Sequence, residues 1–85
     1  MNIHVSNLSV NLTEVDLRKM FAVFGDVSSV VILRDKQNGR SQGTAFVDMF
    51  QNSQAEQAII QLHGSLVDGK RIQVIEIISD LSHMN

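Results

Sequence analysis

The feature that most constrains the fold of this chain is a pair of short strand-like segments about 40 residues apart. In the first segment, Ile3 and Val5 alternate with His4 and Ser6, which is the period-two pattern of a strand with one buried face. The second segment, residues 42–49, shows the same alternation. Each segment therefore predicts a strand with one face packed against a core.

Each strand-like segment is followed by a stretch of helical spacing. The first helix is expected to begin at Thr13, whose hydroxyl can cap it, and two acids follow in the first turn. We expect this helix to end at Gly25, which sits where a left-handed C-cap falls. A second helix is expected to begin at Ser53 and to end at Gly64. The apolar residues that line one face of each helix are Leu17, Met20, Phe21 and Phe24 in the first and Ala55, Ala58, Ile59 and Leu62 in the second.

In chain order, the strands after the first helix are expected at residues 27–35, at residues 44–50 in the middle segment, and at residues 71–78. Asn38-Gly39 predicts a hairpin turn between the first two, because both residues tolerate positive φ. Asp68-Gly69 leads into the last strand. The element order is therefore β-α-β-β-α-β, which predicts an α+β fold: a ferredoxin-like sandwich of one four-stranded antiparallel sheet with two helices on one face.

The composition fits one small domain. A chain of 85 residues leaves no room for a second core, and a hydrophobic content of 44% supports a packed one. We expect the domain to span residues 1–78 and residues 79–85 to form a C-terminal tail. The absence of cysteine excludes disulfides, thiolate metal sites and thiol catalysis. The first residues form a strand rather than a leader, and no apolar run approaches about 18 residues, so we expect a cytoplasmic protein without a membrane partner.

The overall charge gives little support to a general affinity for nucleic acid. Seven basic and nine acidic residues give a formal net charge of −2. Proteins that hold nucleic acid mainly through its phosphates are usually basic, because counterion release needs several Lys or Arg side chains. Any affinity for nucleic acid must therefore come from a local patch.

The first strand-like segment resembles the first signature of the RNA recognition motif family. That signature consists of an aliphatic, an aromatic and a second aliphatic residue, a free position, asparagine and leucine. The chain matches it at Ile3, Val5, Asn7 and Leu8. His4 stands where the family has its aromatic residue.

The middle segment resembles the second signature of the same family, in which aromatic residues alternate with small and aliphatic ones after a basic residue and a glycine. It matches at Gly43, Ala45, Phe46 and Val47, and departs from the pattern at Gln42, Thr44 and Met49. The two signatures occur in order, at family spacing, with matching helices. The resemblance covers about residues 1–77, and the chain resembles small stand-alone bacterial RNA-binding proteins with a single motif.

The resemblance implies that single-stranded RNA binds on the open face of the sheet, where bases stack on aromatic rings. The family's stacking positions correspond to His4, Thr44 and Phe46. Phe46 offers a full ring, His4 a smaller one and Thr44 none, so we expect a modest affinity. Whether His4 stacks on a base, and whether Phe46 belongs to the core instead, stays open. The candidate RNA-binding residues are His4, Ser6, Asn7, Arg34, Lys36, Arg40, Gln42, Thr44, Phe46, Asp48, Lys70, Arg71 and Gln73.

Positive charge is concentrated around the predicted hairpin, at Arg34, Lys36 and Arg40. This cluster either contacts the RNA backbone or is a solvated loop, and the sequence favours neither interpretation. The same two interpretations apply to Lys70 and Arg71 at the entry to the last strand.

An apolar stripe on the same open face supports an alternative function. By alternation, the stripe consists of Val31, Leu33, Phe46 and Ile75. Exposed apolar patches often mark protein contacts. The alternative is therefore a protein–protein interaction or self-association module, with a protein partner or a second copy on the sheet face. The tail residues Leu81 and Met84 are a further candidate to cover it.

Catalysis is not expected. Acylphosphatases share the element order but need a basic phosphate-binding loop after the first strand, and residues 7–12 contain no basic residue. Metal-binding relatives of the fold need a cysteine pair, which is absent. We therefore expect no catalytic residue, metal, cofactor or small-molecule substrate.

Overall fold

The structure, a computed structural model, describes residues 1–78. The proposed tail at residues 79–85, and with it the suggestion that Leu81 and Met84 cover the sheet, lies outside the described residues. The elements in chain order are β1 (Asn2–Ser6), α1 (Glu14–Ala22), β2 (Val27–Arg34), β3 (Ser41–Met49), α2 (Asn52–Leu62), β4 (Leu66–Val67), β5 (Lys70–Arg71) and β6 (Gln73–Ile77).

Four of the strands form one antiparallel sheet in the order β2-β3-β1-β6. The two central strands, β1 and β3, are the ones that carry the two sequence signatures. The predicted α+β fold is confirmed.

The last strand was predicted over residues 71–78, and its predicted start at Arg71 was wrong. Arg71 pairs with Leu66 in a separate two-stranded hairpin, β4-β5, and the strand of the main sheet begins at Gln73. Asp68 and Gly69 both adopt positive φ, 50° and 78°. Two such residues in succession close a tight hairpin, so this turn joins β4 to β5 instead of leading directly into the main sheet.

Strand alternation divides the sheet into a buried and an open face. The residues that point toward the helices are almost completely buried and contact Leu17 and Phe21 of α1 and Ala55 and Ala58 of α2. These strand residues are Ile3, Val5, Ile32, Ala45, Val47 and Val74. The two alanines of α2 are completely buried in this core cluster. The helices therefore cover one face and leave the other available.

The start of α1 follows the prediction. The backbone N–H of Asp16 donates to Thr13 Oγ1 at 3.3 Å, and the backbone N–H of Thr13 donates to Asp16 Oδ2 at 2.9 Å. This reciprocal capping box satisfies N–H groups that have no partner within the helix.

The predicted end of α1 at Gly25 was wrong. The helix ends at Ala22, with Val23 as a right-handed cap, and Gly25 is not among the residues with positive φ. The side chain of Gln54 on α2 lies against the backbone of Gly25 and occupies the space where a Cβ atom would be. Gly25 therefore allows a close approach of α2 and does not provide a left-handed turn.

The hairpin between β2 and β3 also differs from the two-residue turn expected at Asn38-Gly39. Only Gly39 of that pair has positive φ, 73°. The Asp35 carboxylate accepts hydrogen bonds from the backbone N–H groups of Gln37 and Asn38 at 2.8 and 3.3 Å. Asp35 N–H in turn donates to the Arg40 carbonyl at 2.8 Å. The carboxylate of Asp35 thus stabilises a longer loop.

The capping box predicts a pH-dependent contribution to stability. Hydrogen bonds from the Thr13 backbone N–H, and then from its hydroxyl, lower the pKa of Asp16. A carboxyl with a lowered pKa in the folded state stabilises the fold at neutral pH, and this stabilisation is lost as the pH falls through that pKa. We expect Asp16→Asn to lower the melting temperature at pH 7, and the difference from the original chain to shrink as the pH approaches about 2.

Thermal unfolding followed by circular dichroism over this pH series measures the effect. Asp26→Asn is the matched control, because Asp26 is exposed and its side chain makes no hydrogen bond or ion pair within residues 1–78. A melting-temperature difference between Asp16→Asn and the original chain that stays constant with pH would contradict the capping role of the charge.

Candidate nucleic-acid interface

The open face of the sheet carries a row of four side chains, one from each strand. Phe46 on β3 is the register partner of Val31 on β2 and of His4 on β1, and His4 is the register partner of Ile75 on β6. Because neighbouring strands lie about 4.8 Å apart, the row extends about 14 Å across the sheet. We call these four residues the stacking row.

The two rings of the stacking row form its centre. The His4 and Phe46 ring centroids are 5.4 Å apart and their planes are inclined by 42°. Both side chains are partly exposed, and Phe46 is not part of the buried core. The alternative that Phe46 is a core residue was therefore wrong. At the ends of the row, Val31 and Ile75 are 54% and 50% exposed, so an apolar surface continues across all four strands.

Polar side chains lie on both sides of the stacking row. On one side Asp48 of β3 pairs in register with Asn2 of β1. On the other side are Thr44 of β3 and the register partners Ser6 and Gln73. Hydrogen-bonding groups thus flank a strip of rings and aliphatic side chains, which is the surface that a base needs: one flat apolar face and polar partners at its edges.

Asn7, a candidate RNA-binding residue, has a structural contact that its sequence position did not reveal. It adopts a φ of 56°, and its side-chain N–H donates to the Arg71 carbonyl at 2.7 Å. The next residue, Leu8, donates its N–H to the Gly43 carbonyl at 3.0 Å. A Cβ on Gly43, whose φ is 76°, would lie only 3.0 Å from the Leu8 carbonyl oxygen. These signature residues therefore connect β1 to β3 and to the β4-β5 hairpin.

The basic residues of the predicted hairpin cluster differ in their partners. Arg34 forms an ion pair with Glu14 of α1 at 2.8 Å and also donates to the Gly39 carbonyl at 3.3 Å. A hydrogen bond from the Glu14 backbone, and then the Arg34 guanidinium, lower the pKa of Glu14. Arg40 and Lys36 are exposed, and within residues 1–78 neither side chain makes an ion pair or hydrogen bond. The charge of Arg34 is thus partly offset by Glu14. The charges of Arg40 and Lys36 are not offset by an ion pair within residues 1–78.

Arg40 lies at a surface groove beside the β2–β3 loop. The groove is lined by Val10, Asn11, Arg34, Arg40 and Ser41. It brings the loop after β1 next to the basic loop, although 23 residues or more separate Asn11 from the basic residues in the sequence. The other two basic candidates lie on β5, where Arg71 donates to the Gly64 carbonyl at 3.1 Å and Lys70 is exposed.

Two residues at the interface were missed by sequence reasoning. Ser28 donates its hydroxyl to Asp48 Oδ2 at 3.1 Å, and Asn2 lies exposed beside Asp48. Neither stands in a signature segment. The alternation that placed Asp48 outward could have placed Asn2 there too, whereas a register shift between Val27 and Ser29 obscures the position of Ser28.

Two further observations concern the described residues alone. Among residues 1–78 no three His, Asp or Glu side chains come together in a group suited to a metal ion. None of the helices described there is both long enough and apolar enough to cross a membrane.

Comparison with known sequences identifies relatives over most of the chain. The sequence profile of the RNA recognition motif matches residues 3–73. The putative RNA-binding protein RbpD of Nostoc sp. is 42% identical over 74 residues, which cover 87% of this chain and 79% of that protein. Other relatives are longer, and this chain spans only 16–41% of three of them.

Solved structures of RNA-binding proteins have a backbone similar to that of this chain. The crystal structure of the RNA-binding protein PG1 has a TM-score of 0.90 and 34% identity, covering 93% of this chain and 95% of that one. A solved SXL-lethal protein–RNA complex has a TM-score of 0.83 and 33% identity, covering 87% of this chain and 46% of that one.

Proposed function

The chain belongs to the RNA recognition motif family, and on this premise we propose that it binds single-stranded RNA through the open face of its sheet. The observation that carries the proposal is the stacking row, with the rings of His4 and Phe46 side by side at its centre. Splayed bases stack on such rings, and polar groups beside them hydrogen-bond to base edges. The proposed role is binding, with no chemical step.

The number of rings limits the strength of the interaction. Each stacked base contributes about 1–3 kcal/mol in alanine-substitution measurements. Phe46 provides one full ring and His4 a smaller one, while Thr44 occupies the third stacking position of the family without a ring. We therefore propose that about two bases stack on this face and that the affinity is modest.

The exposed basic residues would supply contacts to the RNA backbone. Arg40 and Lys36 retain their charge in a chain whose formal net charge is −2, so their position decides where phosphates are attracted. Arg40 lines the groove beside the β2–β3 loop, and we propose that a strand leaving the stacking row at its β2 end passes this groove.

A residue-resolved titration tests the proposed binding face. The chain is titrated with a degenerate short single-stranded RNA and followed by NMR. We expect the largest chemical-shift changes at His4, Phe46 and Arg40. Changes confined to α1 and α2, or no changes at all, would overturn the proposal.

The alternative function, a protein–protein interaction module, is not favoured over RNA binding. The stripe predicted for it does lie on the open face, since Val31, Phe46 and Ile75 belong to the stacking row. However, RbpD and the two solved structures named above are RNA-binding proteins or an RNA complex by name. The same titration distinguishes the two, because self-association would broaden lines at Val31 and Ile75 with protein concentration before RNA is added.

The backbone contact leads to a prediction about salt. We expect Arg40→Ala to weaken binding to all RNA sequences alike and to reduce the slope of log affinity against log salt concentration by about 0.7, the value for one phosphate of a single strand. Fluorescence anisotropy at several salt concentrations measures this slope.

Lys19→Ala is the matched control for Arg40→Ala. It removes the same unit of charge from an exposed position on α1. Because α1 covers the opposite face of the sheet, the slope should stay unchanged. Equal slopes for the two variants would show that only net charge matters and would contradict a phosphate contact at Arg40.

A further inference from the structure

A carboxylate on the proposed RNA-binding face is not explained by base stacking. Asp48 lies on β3 two residues after Phe46 and therefore points to the same face. Its side chain is 43% exposed. An acidic group there repels the phosphates of a bound strand, so it lowers the affinity for RNA unless a hydrogen-bond donor of the RNA contacts it.

The orientation of this carboxylate is fixed by its neighbours. Ser28 Oγ donates to Asp48 Oδ2 at 3.1 Å, and Oδ1 forms an ion pair with the α-ammonium group of Met1 at 3.5 Å, which offsets part of its charge. No Lys or Arg side chain within residues 1–78 pairs with it. A carboxylate has about four acceptor positions, so each oxygen keeps capacity for a further donor from the open side.

The distance from the ring to the carboxylate suits the edge of a stacked base. Residues two apart in a strand are separated by about 6.7 Å. A base centred over Phe46 reaches part of this distance with its own ring, and one hydrogen bond of about 2.9 Å covers the remainder. Thr44, at the same spacing on the other side, has a hydroxyl that can donate or accept and so does not select one edge.

The four bases differ in what they would present to a carboxylate. Guanine has two adjacent donors on its Watson–Crick edge, N1–H and the N2 amino group. Adenine and cytosine each offer one amino group there. Uracil offers a single N3–H between two carbonyl oxygens, which a carboxylate repels. A paired contact to two adjacent groups is the arrangement that discriminates bases most strongly.

We propose that Asp48 is a specificity-determining residue that accepts hydrogen bonds from the Watson–Crick edge of a guanine stacked on Phe46. This assignment rests on the proposed RNA-binding function and adds a sequence preference to it. The preferred order of bases at this position is guanine first, adenine and cytosine next, and uracil last.

Competition binding with defined RNAs tests the preference. Uridine heptamers with and without one central guanosine are compared on the full chain by fluorescence anisotropy. We expect the guanosine-containing RNA to bind about five- to tenfold more tightly. Inosine lacks the N2 amino group of guanosine, so its substitution should remove part of this gain. Equal binding of inosine and guanosine would overturn the paired contact.

Asp48→Asn has nearly the same shape but lacks the charge and one acceptor. We expect it to reduce the guanosine preference to about twofold or less and to bind the uridine heptamer at least as well as the original chain does. Glu76→Gln is the matched control, because it removes the same charge from an exposed residue of β6 and should leave the preference unchanged.

The outcomes separate this assignment from the proposed function. If the chain binds both heptamers equally, or if Asp48→Asn keeps the guanosine preference, the role of Asp48 is overturned while RNA binding stands. If the chain binds none of the RNAs, the proposed function is overturned together with it.

Discussion

Replacement of Phe46 by alanine is expected to weaken binding to a mixed pool of single-stranded RNA by about 5- to 150-fold. The reason is the loss of one stacked base, worth about 1–3 kcal/mol. Phe46 lies on the open face and outside the buried core, with His4 as its ring partner. The variant should therefore fold, and the loss should come from the contact with RNA. Fluorescence anisotropy at one fixed salt concentration measures it.

Ile60→Ala is the control for this result. Ile60 is 66% exposed on α2, so the substitution also removes a large exposed apolar side chain, but from the helical side of the molecule. We expect its affinity for RNA to equal that of the original chain. If Phe46→Ala is folded by circular dichroism and binds as tightly as the original chain, the sheet-face mechanism is wrong.

The fold was predictable because its signals are local in sequence. Alternation in the strands and helical spacing in the helices repeat over a few residues, so each element could be recognised on its own. The capping box joins Thr13 and Asp16, which are only three residues apart. Gly25 was misassigned because the same residue type serves a left-handed turn and a close approach. The choice depended on Gln54, 29 residues later in the chain.

The site was predictable only in part, because several of its contacts join residues that lie far apart in the sequence. Alternation assigned His4, Phe46 and Ile75 to one face, but only the hydrogen-bond register shows that they lie in one row. The partners that alter the charge or the contacts of a candidate side chain lie still farther away in the sequence. Glu14 precedes Arg34 by 20 residues and neutralises part of its charge. Asn7 donates to a carbonyl 64 residues later. No local pattern contains such contacts.

Restoring a ring at the third stacking position should strengthen binding. Thr44 precedes Phe46 by two residues and points to the same face, where it is partly exposed. Its hydroxyl makes no hydrogen bond to another of residues 1–78 in the structure, so its removal leaves no partner unsatisfied. We expect Thr44→Phe to increase the affinity for single-stranded RNA by about tenfold, because one further base can stack. The measurement is the same anisotropy titration used for Phe46→Ala.

Thr44→Val separates stacking from added apolar surface. Valine has nearly the shape of threonine and no ring, so we expect no increase in affinity. The Thr44→Phe chain must also remain monomeric by size-exclusion chromatography, because an added exposed ring can promote self-association. Unfolding or distortion of the variant lowers its affinity for RNA and does not raise it. A gain in affinity is therefore easier to interpret than a loss of affinity. If Thr44→Phe is monomeric and binds no better than Thr44→Val, the third position is not in contact with RNA. The proposed path of the strand across the sheet is then wrong at that point.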